Sequence, residues 1–337
     1  MLAWSLKAED RHNLNSTRKS NILQATVKPY YSYLGEVCTD KNNYYQNEFA
    51  ELMDPFIYNY VERSFHKSNR FQMLPCMAVA MKGFKPNVVR CVTGKDNKKE
   101  VVDMGRNPPC VSTDYFYRTA FVFARASSCF AVNPRTMFKI FNHESRFHFN
   151  AIGPSGDVGI GQMVPILAKD VNIRLWERIS KNECSFVREY NIQKVDLGNK
   201  CDIISAEPKN QARQISYAAA YLEYLSERAD LLFKRWFNKI ASLDGTTAAQ
   251  KNSMLANKEK IVEMLVMASY HGGEGRPKRI WEEMIAENIY FKNFASIEDK
   301  FQEKLNRDPK MQSMARYLDR ARNDLADLEK KVGKPCL

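Results

Sequence analysis

The 337-residue chain has no run of about 18 apolar side chains, the length a membrane-crossing helix needs, so no transmembrane segment is expected. Its opening, MLAWSLKAEDRH, lacks the basic and then apolar pattern of a secretory leader, and the expectation is a mature or recombinant form. No internal repeat or low-complexity segment is apparent. None of the eight cysteines forms a C-x-x-C with a second such pair, which argues against a zinc ribbon. The glycines at 153, 156, 159 and 161 fit neither G-x-G-x-x-G nor G-x-x-x-x-G-K-[ST], so a phosphate cradle has little support. His143 and His148 miss the H-E-x-x-H spacing. Histidines four apart sit about 40° apart around a helix, whereas a five-residue step turns through about 140°. No metal or organic cofactor is therefore expected.

What the chain does have is an excess of positive charge, +12 with histidines neutral. Such a balance suits an anionic partner or surface, and nucleic acid, anionic lipid and cell-wall polymer all qualify. The basic residues alternate with acids along the helical segments and do not gather into an arm with stacking aromatics, so nucleic-acid binding is not expected. The length suggests about two domains, or one with a large extension, and is ample for a core.

Residues 1–70 turn from polar to aromatic-rich, with helical segments YYSYLGEV and FAELMDPFIYNYVERSF broken at Pro29 and Pro55. MLPCMAVAMKGF reads as helix or buried strand, and NVVRCVTGKDNKKEVVDM as two short strands around a GKDN turn. TDYFYRTAFVFARASSCFAV, Val164 to Ile179, Asn210 to Trp236 and Lys258 to Tyr270 all have helical period, the last ending at Gly272-Gly273. Small residues in SYAAAYLEYL allow close helix packing. WEEMIAENIYFKNFASIEDKFQEKL and MQSMARYLDRARNDLADLEKKV read as amphipathic helices packed on the core.

The stretch that organises the chain is FNHESRFHFNAIGPSGDVGIGQMVP, Phe141 to Pro165. Asn133 can cap a helix and Pro134 fits its first turn, so PRTMFKIFNHESRF is predicted helical, with an apolar face of Met137, Phe138, Ile140 and Phe141. Glu144 then lies near its C-terminal end. Desolvation and the negative end of the helix dipole both disfavour its ionised form there, as a general acid requires. The bland alternative is a solvated helix-end glutamate.

Glu144-Ser145-x-Phe147, followed by Ala151 and Gly156-x-x-Gly159-Ile160-Gly161-Gln162-Met163-x-Pro165, resembles the signature of soluble lytic transglycosylases and goose-type lysozymes. Ala268-Ser269-Tyr270-His271-Gly272-Gly273-Glu274-Gly275-Arg276 is similar to the family's A-Y-N-A-G-P-G-R element, and Gln214-Ile215-x-x-Ala218-x-x-Tyr221-Leu222 to its N-I-x-x-G-x-x-Y-L helix. The resemblance runs from Pro134 to Trp281 and leaves both ends unexplained.

It implies a mainly α fold with a lysozyme-like helical catalytic domain over 131–285, and the sequence pattern adds an N-terminal extension over 1–130 with room for a small β-hairpin and C-terminal helices over 286–337. It implies a peptidoglycan glycan strand as partner, cleavage of the β-1,4 bond between N-acetylmuramic acid and N-acetylglucosamine, Glu144 as general acid and base, and a periplasmic or secreted monomer. Hydrolysis and formation of a 1,6-anhydro end remain open, as does a non-catalytic wall-binding protein of the same fold. By the same resemblance Ser145 sits near the sugar, Gln162 and Met163 line the cleft floor, and Tyr270 positions Glu144 and the saccharide. The cysteines, at 38, 76, 91, 110, 129, 184, 201 and 336, then suggest disulfides in an oxidising compartment, with buried free thiols as the alternative. A Cys184–Cys201 bridge would close a loop worth about 3 kcal/mol.

Three departures from the family pattern stand out: Asp157 for alanine, His271 for asparagine and Glu274 for proline. Two add negative charge, which predicts a cleft favouring glycan with free ammonium groups, that is, N-deacetylated peptidoglycan. Asp157 could instead position a water.

Overall fold

The computed structural model describes residues 73–83, 86–106, 113–180, 185–196, 200–204, 208–287 and 293–337. The aromatic-rich helical segments expected before residue 70 lie outside these. The described chain is mainly α. Helix α1 spans Met73–Gly83, resolving the helix-or-strand ambiguity, and the hairpin follows as predicted. Strands β1 (Val89–Thr93) and β2 (Lys99–Asp103) pair antiparallel, Val89 opposite Asp103 and Thr93 opposite Lys99. Asn97 takes the left-handed turn position at φ 57°, which asparagine tolerates.

The remaining elements are α2 (Thr113–Cys129), α3 (Pro134–Ser145), α4 (Pro165–Asp170), a π-helical turn (Val171–Leu175), α5 (Trp176–Ser180), α6 (Ser185–Glu189) and α7 (Cys201–Ile204). They continue with α8 (Pro208–Ala241), α9 (Ala248–Ala256), α10 (Lys258–Gly272), α11 (Gly275–Ala286), α12 (Phe294–Arg307) and α13 (Gln312–Val332). The helix read from Trp281 to Leu305 is thus two, α11 and α12.

The 34-residue α8, about 50 Å long, is the axis of the fold. Its alanines 212, 218, 219 and 220 are buried and let α2 and α10 approach closely. Farther along, Trp236 meets Trp281 of α11 at 5.6 Å, and Trp281 donates its indole N–H to the Leu232 carbonyl. One buried cluster runs from α1 to α13. Helix α13 packs on α1, α3, α10 and α12, carried by a buried face of Met314, Tyr317, Leu318, Ala321 and Leu325.

Two disulfides brace this arrangement: Cys76–Cys336, joining α1 to the chain beyond α13, and Cys91–Cys201, joining β1 to α7. The Cys184–Cys201 bridge is therefore not formed. Helix α7 packs against the hairpin and brings the Cα atoms of Cys91 and Cys201 to 5.6 Å, a proximity that sequence spacing does not reveal. Cys129 is also disulfide-bonded.

Candidate active site

Helix α3 begins as its sequence predicts. The Asn133 side-chain oxygen accepts from the backbone N–H of Arg135 at 2.9 Å and Thr136 at 3.3 Å, with Pro134 in the first turn. Its end was not foreseeable. Arg146 and Phe147 are consecutive left-handed residues, φ 52° and 64°, a conformation that costs a non-glycine residue about 1–2 kcal/mol. The Phe147 ring offsets this by burial against Phe138 at 4.9 Å and Phe141 at 6.4 Å. The sharp turn stops the helix one residue after Glu144 and sends the chain into the glycine-rich loop.

Three helices each send one side chain to that loop, to three neighbouring backbone groups. Gln214 of α8 accepts from Ile160 N–H at 2.8 Å, Ser145 of α3 donates to Ile160 C=O at 2.7 Å, and Tyr270 of α10 donates to Gly161 C=O at 2.5 Å. Gln214 is fully buried, and its amide also donates to Phe149 C=O at 3.0 Å and Ile203 C=O at 2.5 Å. Gly161 is required by close approach: a Cβ there would lie 2.8 Å from the Ala218 Cβ and 2.9 Å from the Tyr270 hydroxyl. Gln162, at φ 48°, donates to Gly159 C=O at 2.8 Å and Ala151 C=O at 3.2 Å, closing the loop on itself.

Ser145, Gln162 and Met163 are thus only 1, 8 and 1% exposed. The two polar residues commit their side chains to the loop backbone and Met163 joins the core cluster, so all three help to shape the loop. Gln214's role as a hub was missed by sequence reasoning; its one signal is a polar residue amid the alanines of α8.

Glu144 is half-buried. Desolvation is the main cause that lifts its carboxyl from an ordinary 4.5 to about 7, and the negative charge of Asp157 adds to the rise. Tyr317 of α13 opposes it by hydrogen bonding, but loosely, since the Tyr317 hydroxyl makes no bond of ordinary geometry. Tyr270 and Tyr317 are both pushed well above the usual phenol range, by burial first and then by the Glu144 charge. Glu144 can thus hold a proton near neutral pH, between two tyrosines that cannot readily lose theirs.

A half-buried aromatic face continues from Tyr270 through Tyr221, at 5.9 Å, to Tyr224, stacked at 6.2 Å. Glu274 accepts from the Tyr224 hydroxyl at 2.8 Å and faces the Arg228 guanidinium at 3.7 Å, so its charge is largely answered. Asp157 is different: its carboxylate lies over Gly153, which has no Cβ to obstruct it, and it makes no hydrogen bond or ion pair among the described residues. His271 stacks on Tyr317 at 4.5 Å; burial first, then His143 and Arg276, hold its pKa below the usual imidazole range against the pull of Asp157. Glu144, Asp157, Tyr270, His271 and Tyr317 therefore share one neighbourhood. Tyr317 lay in a helix that sequence reasoning treated as packing, and a tyrosine on an apolar face carries no signal that separates the two roles. Among the described residues, no three His, Cys, Asp or Glu side chains converge to hold a metal ion.

Residues 121–185 match the family model described as the transglycosylase SLT domain. No curated protein and no solved structure matches the chain. The matched segment begins within α2 and ends at the start of α6, so it holds Glu144 and the glycine-rich loop and stops short of Tyr270 and Tyr317. It agrees with the motif resemblance to lytic transglycosylases and lysozyme-like enzymes, and it supports a peptidoglycan lytic transglycosylase type of function. No helix among the described residues is long and apolar enough to cross a membrane, and the disulfides fit an oxidising compartment.

Proposed function

We propose that this protein cleaves the β-1,4 bond between N-acetylmuramic acid and N-acetylglucosamine in peptidoglycan, outside the cytoplasm, with Glu144 as general acid and then general base. The observation that carries this reading is the desolvated Glu144 carboxyl, protonated to about pH 7 beside a rigid glycine-rich loop inside the matched segment. Its proton goes to the glycosidic oxygen as the C–O bond breaks, the bonding pair leaves with that oxygen, and positive charge spreads over the sugar ring. The carboxylate so formed then takes a proton, either from the sugar's own 6-hydroxyl, closing a 1,6-anhydro ring, or from a water that attacks the same carbon. The tyrosine face of 270, 221 and 224 offers stacking surface for the sugars.

Preference for N-deacetylated glycan rests, in this reading, on Asp157 alone, because Glu274 already has Tyr224 and Arg228 as partners. A sugar ammonium would supply the cation that Asp157 lacks. Wild type, Glu144→Gln and Asp157→Asn are incubated with native and chemically deacetylated sacculi, and the released fragments are weighed by mass spectrometry. Release by wild type and not by Glu144→Gln supports the enzyme, and anhydro or reducing ends decide the product. Asp157→Asn should remove any preference for deacetylated material; equal rates on both substrates in wild type would sink that preference. A folded wild type that binds sacculi and releases nothing would leave a wall-binding protein.

A further inference from the structure

The two edges of the hairpin differ. Its backbone phase follows from the bonds at its ends: Gly94 N–H donates to Lys98 C=O at 2.8 Å, and Met104 N–H to Val88 C=O at 2.9 Å. With Val92 opposite Glu100 and Arg90 opposite Val102, residues 98, 100, 102 and 104 turn their N–H and C=O groups inward, to β1. Lys99, Val101 and Asp103 therefore turn theirs away from β1, and Val89, Cys91 and Thr93 turn theirs away from β2. The outer edge of β1 is occupied. Val89 N–H donates to Asn150 C=O at 2.9 Å, the Asn150 side-chain amide donates to Val89 C=O at 3.1 Å, and Ile152 N–H donates to Asn87 C=O at 2.8 Å. Cys91 is bonded to α7.

The outer edge of β2 is bare. All five of its residues are exposed, and among the described residues nothing bonds the outward backbone groups of Lys99, Val101 and Asp103. Such a row is a template for another strand, which natural edges blunt with proline, bulges or lysines. This edge has no proline, and its outward row carries a cation at one end, a valine at the centre and an anion at the other. Asp103 gives one carboxylate oxygen to Gly105 N–H at 2.8 Å and keeps its second. A row of this kind is complementary to itself when reversed.

We propose that β2 is a dimerisation edge: it pairs antiparallel with β2 of a second copy, centred on Val101, and joins two hairpins into one four-stranded sheet. Centring there sets Lys99 opposite the partner's Asp103, Asp103 opposite the partner's Lys99, and Val101 beside the partner's Val101 on the two-fold axis. Outward groups meet outward groups, so each of these residue pairs exchanges two hydrogen bonds. Centring one residue earlier sets Glu100 against the partner's Glu100, and one residue later leaves Lys99 and Asp103 without each other. The contact is isologous and both β1 edges are taken, so assembly stops at two copies. Five residues a side fall short of the roughly 1,000 Å² of a lasting interface, and a charge of +12 on each copy opposes approach. The dimer is therefore weak, half-formed at on the order of 100 μM, and the monomer that the family resemblance implies is its dilute state. Through Asn150 and Ile152 the joined sheet runs on toward the glycine-rich loop of both copies.

The full chain is followed by sedimentation velocity from about 1 μM to about 1 mM, a range that brackets a weak interface. Wild type should pass from the 39.0 kDa monomer to twice that mass. Val101→Pro removes an outward N–H and leaves every β1–β2 bond its donor, so it should stay monomeric with thermal unfolding unchanged. Mixing tests the register. In a self-pair, Lys99→Glu sets carboxylate against carboxylate and Asp103→Lys sets ammonium against ammonium, so each variant alone should be monomeric. Mixed, each meets the opposite charge at both ends of the other, and a heterodimer should form. A wild type monomeric at the top of the range, a dimer that survives Val101→Pro, or variants that do not pair when mixed would each overturn the proposal. A monomeric wild type whose Val101 amide slows in hydrogen exchange only when sacculi are added would give the edge to a wall peptide and overturn it too. Fragment release is not read, so none of these outcomes bears on Glu144.

Discussion

Glu144 and His148 sit on opposite sides of the turn that ends α3, and burial drives both toward their neutral forms, to opposite ends. On the Glu144 side the neighbours are polar: Asp157, Tyr317 and Tyr270 all act on its charge. On the other side His148 is 2% exposed, its pKa driven from 6.5 to about 4 by desolvation, with only the Met81 backbone opposing and neither ring nitrogen in a bond of ordinary geometry. The same physical cause therefore acts on a carboxyl beside the glycine-rich loop, the proton donor we propose, and on a core imidazole that only the Met81 backbone answers. A shifted pKa alone does not mark a site; the difference lies in what the group faces.

The two groups also pull stability in opposite directions with pH. Glu144 binds its proton more tightly folded than unfolded, so its contribution is complete below about pH 4.5 and is lost as pH rises through about 7. His148 binds its proton less tightly folded, so its contribution is complete above about 6.5 and is lost as pH falls toward 4. Each effect is at most about 3 kcal/mol, and over the overlapping window they largely cancel. The largest break in this symmetry is Glu144→Gln. Turnover of sacculi should fall on the order of 10³-fold, while stability at pH 8 rises by up to about 3 kcal/mol. Urea unfolding at pH 5 and pH 8 checks the second part: equal stability change at both pH values would mean that Glu144 is not desolvated.

Helix α1 serves both sides, lying over His148 through Met81 and holding the end of α13 through Cys76. Cutting that tether should harm the two sides unequally. Replacing Cys76 and Cys336 together by alanine is expected to lower stability by about 2–4 kcal/mol. It should also reduce kcat, because α13 then holds Tyr317 less firmly, and leave the His148 contribution to the pH dependence in place. A double variant that loses stability at full kcat would separate the tether from the site.

Much of the Glu144 side was legible in the sequence and little of the His148 side was. The Asn133-Pro134 start of α3, the hairpin around Lys95 to Asn97, the small-residue face of α8 and the placement of Glu144 before the glycines are local patterns, and local patterns can be read. The left-handed pair Arg146-Phe147 carries no glycine to announce it, and is held by aromatic contacts with Phe138 and Phe141. Gln214, Tyr317 and the Cys91–Cys201 pairing depend on segments far apart in the chain, which no window of sequence contains. His148 lay within the best-recognised motif, and its burial under α1 still gave no sign there.

His148→Phe sharpens the comparison from the other side. Phenylalanine fills a similar volume and cannot be protonated, so the loss of about 3 kcal/mol that His148 contributes between pH 6.5 and 4, and that the Glu144 gain offsets in wild type, should not appear. The variant's stability should instead fall steadily as pH rises from about 4.5 to 7, exposing the Glu144 slope by itself. Activity at pH 7 should stay within about twofold, since His148 is neutral and distant in role from the cleft. Thermal unfolding across that range would show it, and a profile as flat as that of wild type would mean that His148 supplies no offset.

Ser145→Ala is the mildest test, and it asks whether the loop on the Glu144 side is held or merely adjacent. The hydroxyl donates to Ile160 C=O at 2.7 Å, and both residues are buried, so its removal strands a carbonyl and should lower stability by about 1–2 kcal/mol. Ile160 N–H stays on Gln214 and Gly161 C=O on Tyr270, so two of the three anchors survive and the loop keeps its path. The expected result is a loss of less than about tenfold in kcat with no shift in the Glu144 midpoint, because the serine acts on backbone and not on the carboxyl. A midpoint that moved with Ser145→Ala would show that loop position, and with it Asp157, sets the protonation of Glu144 as strongly as burial does.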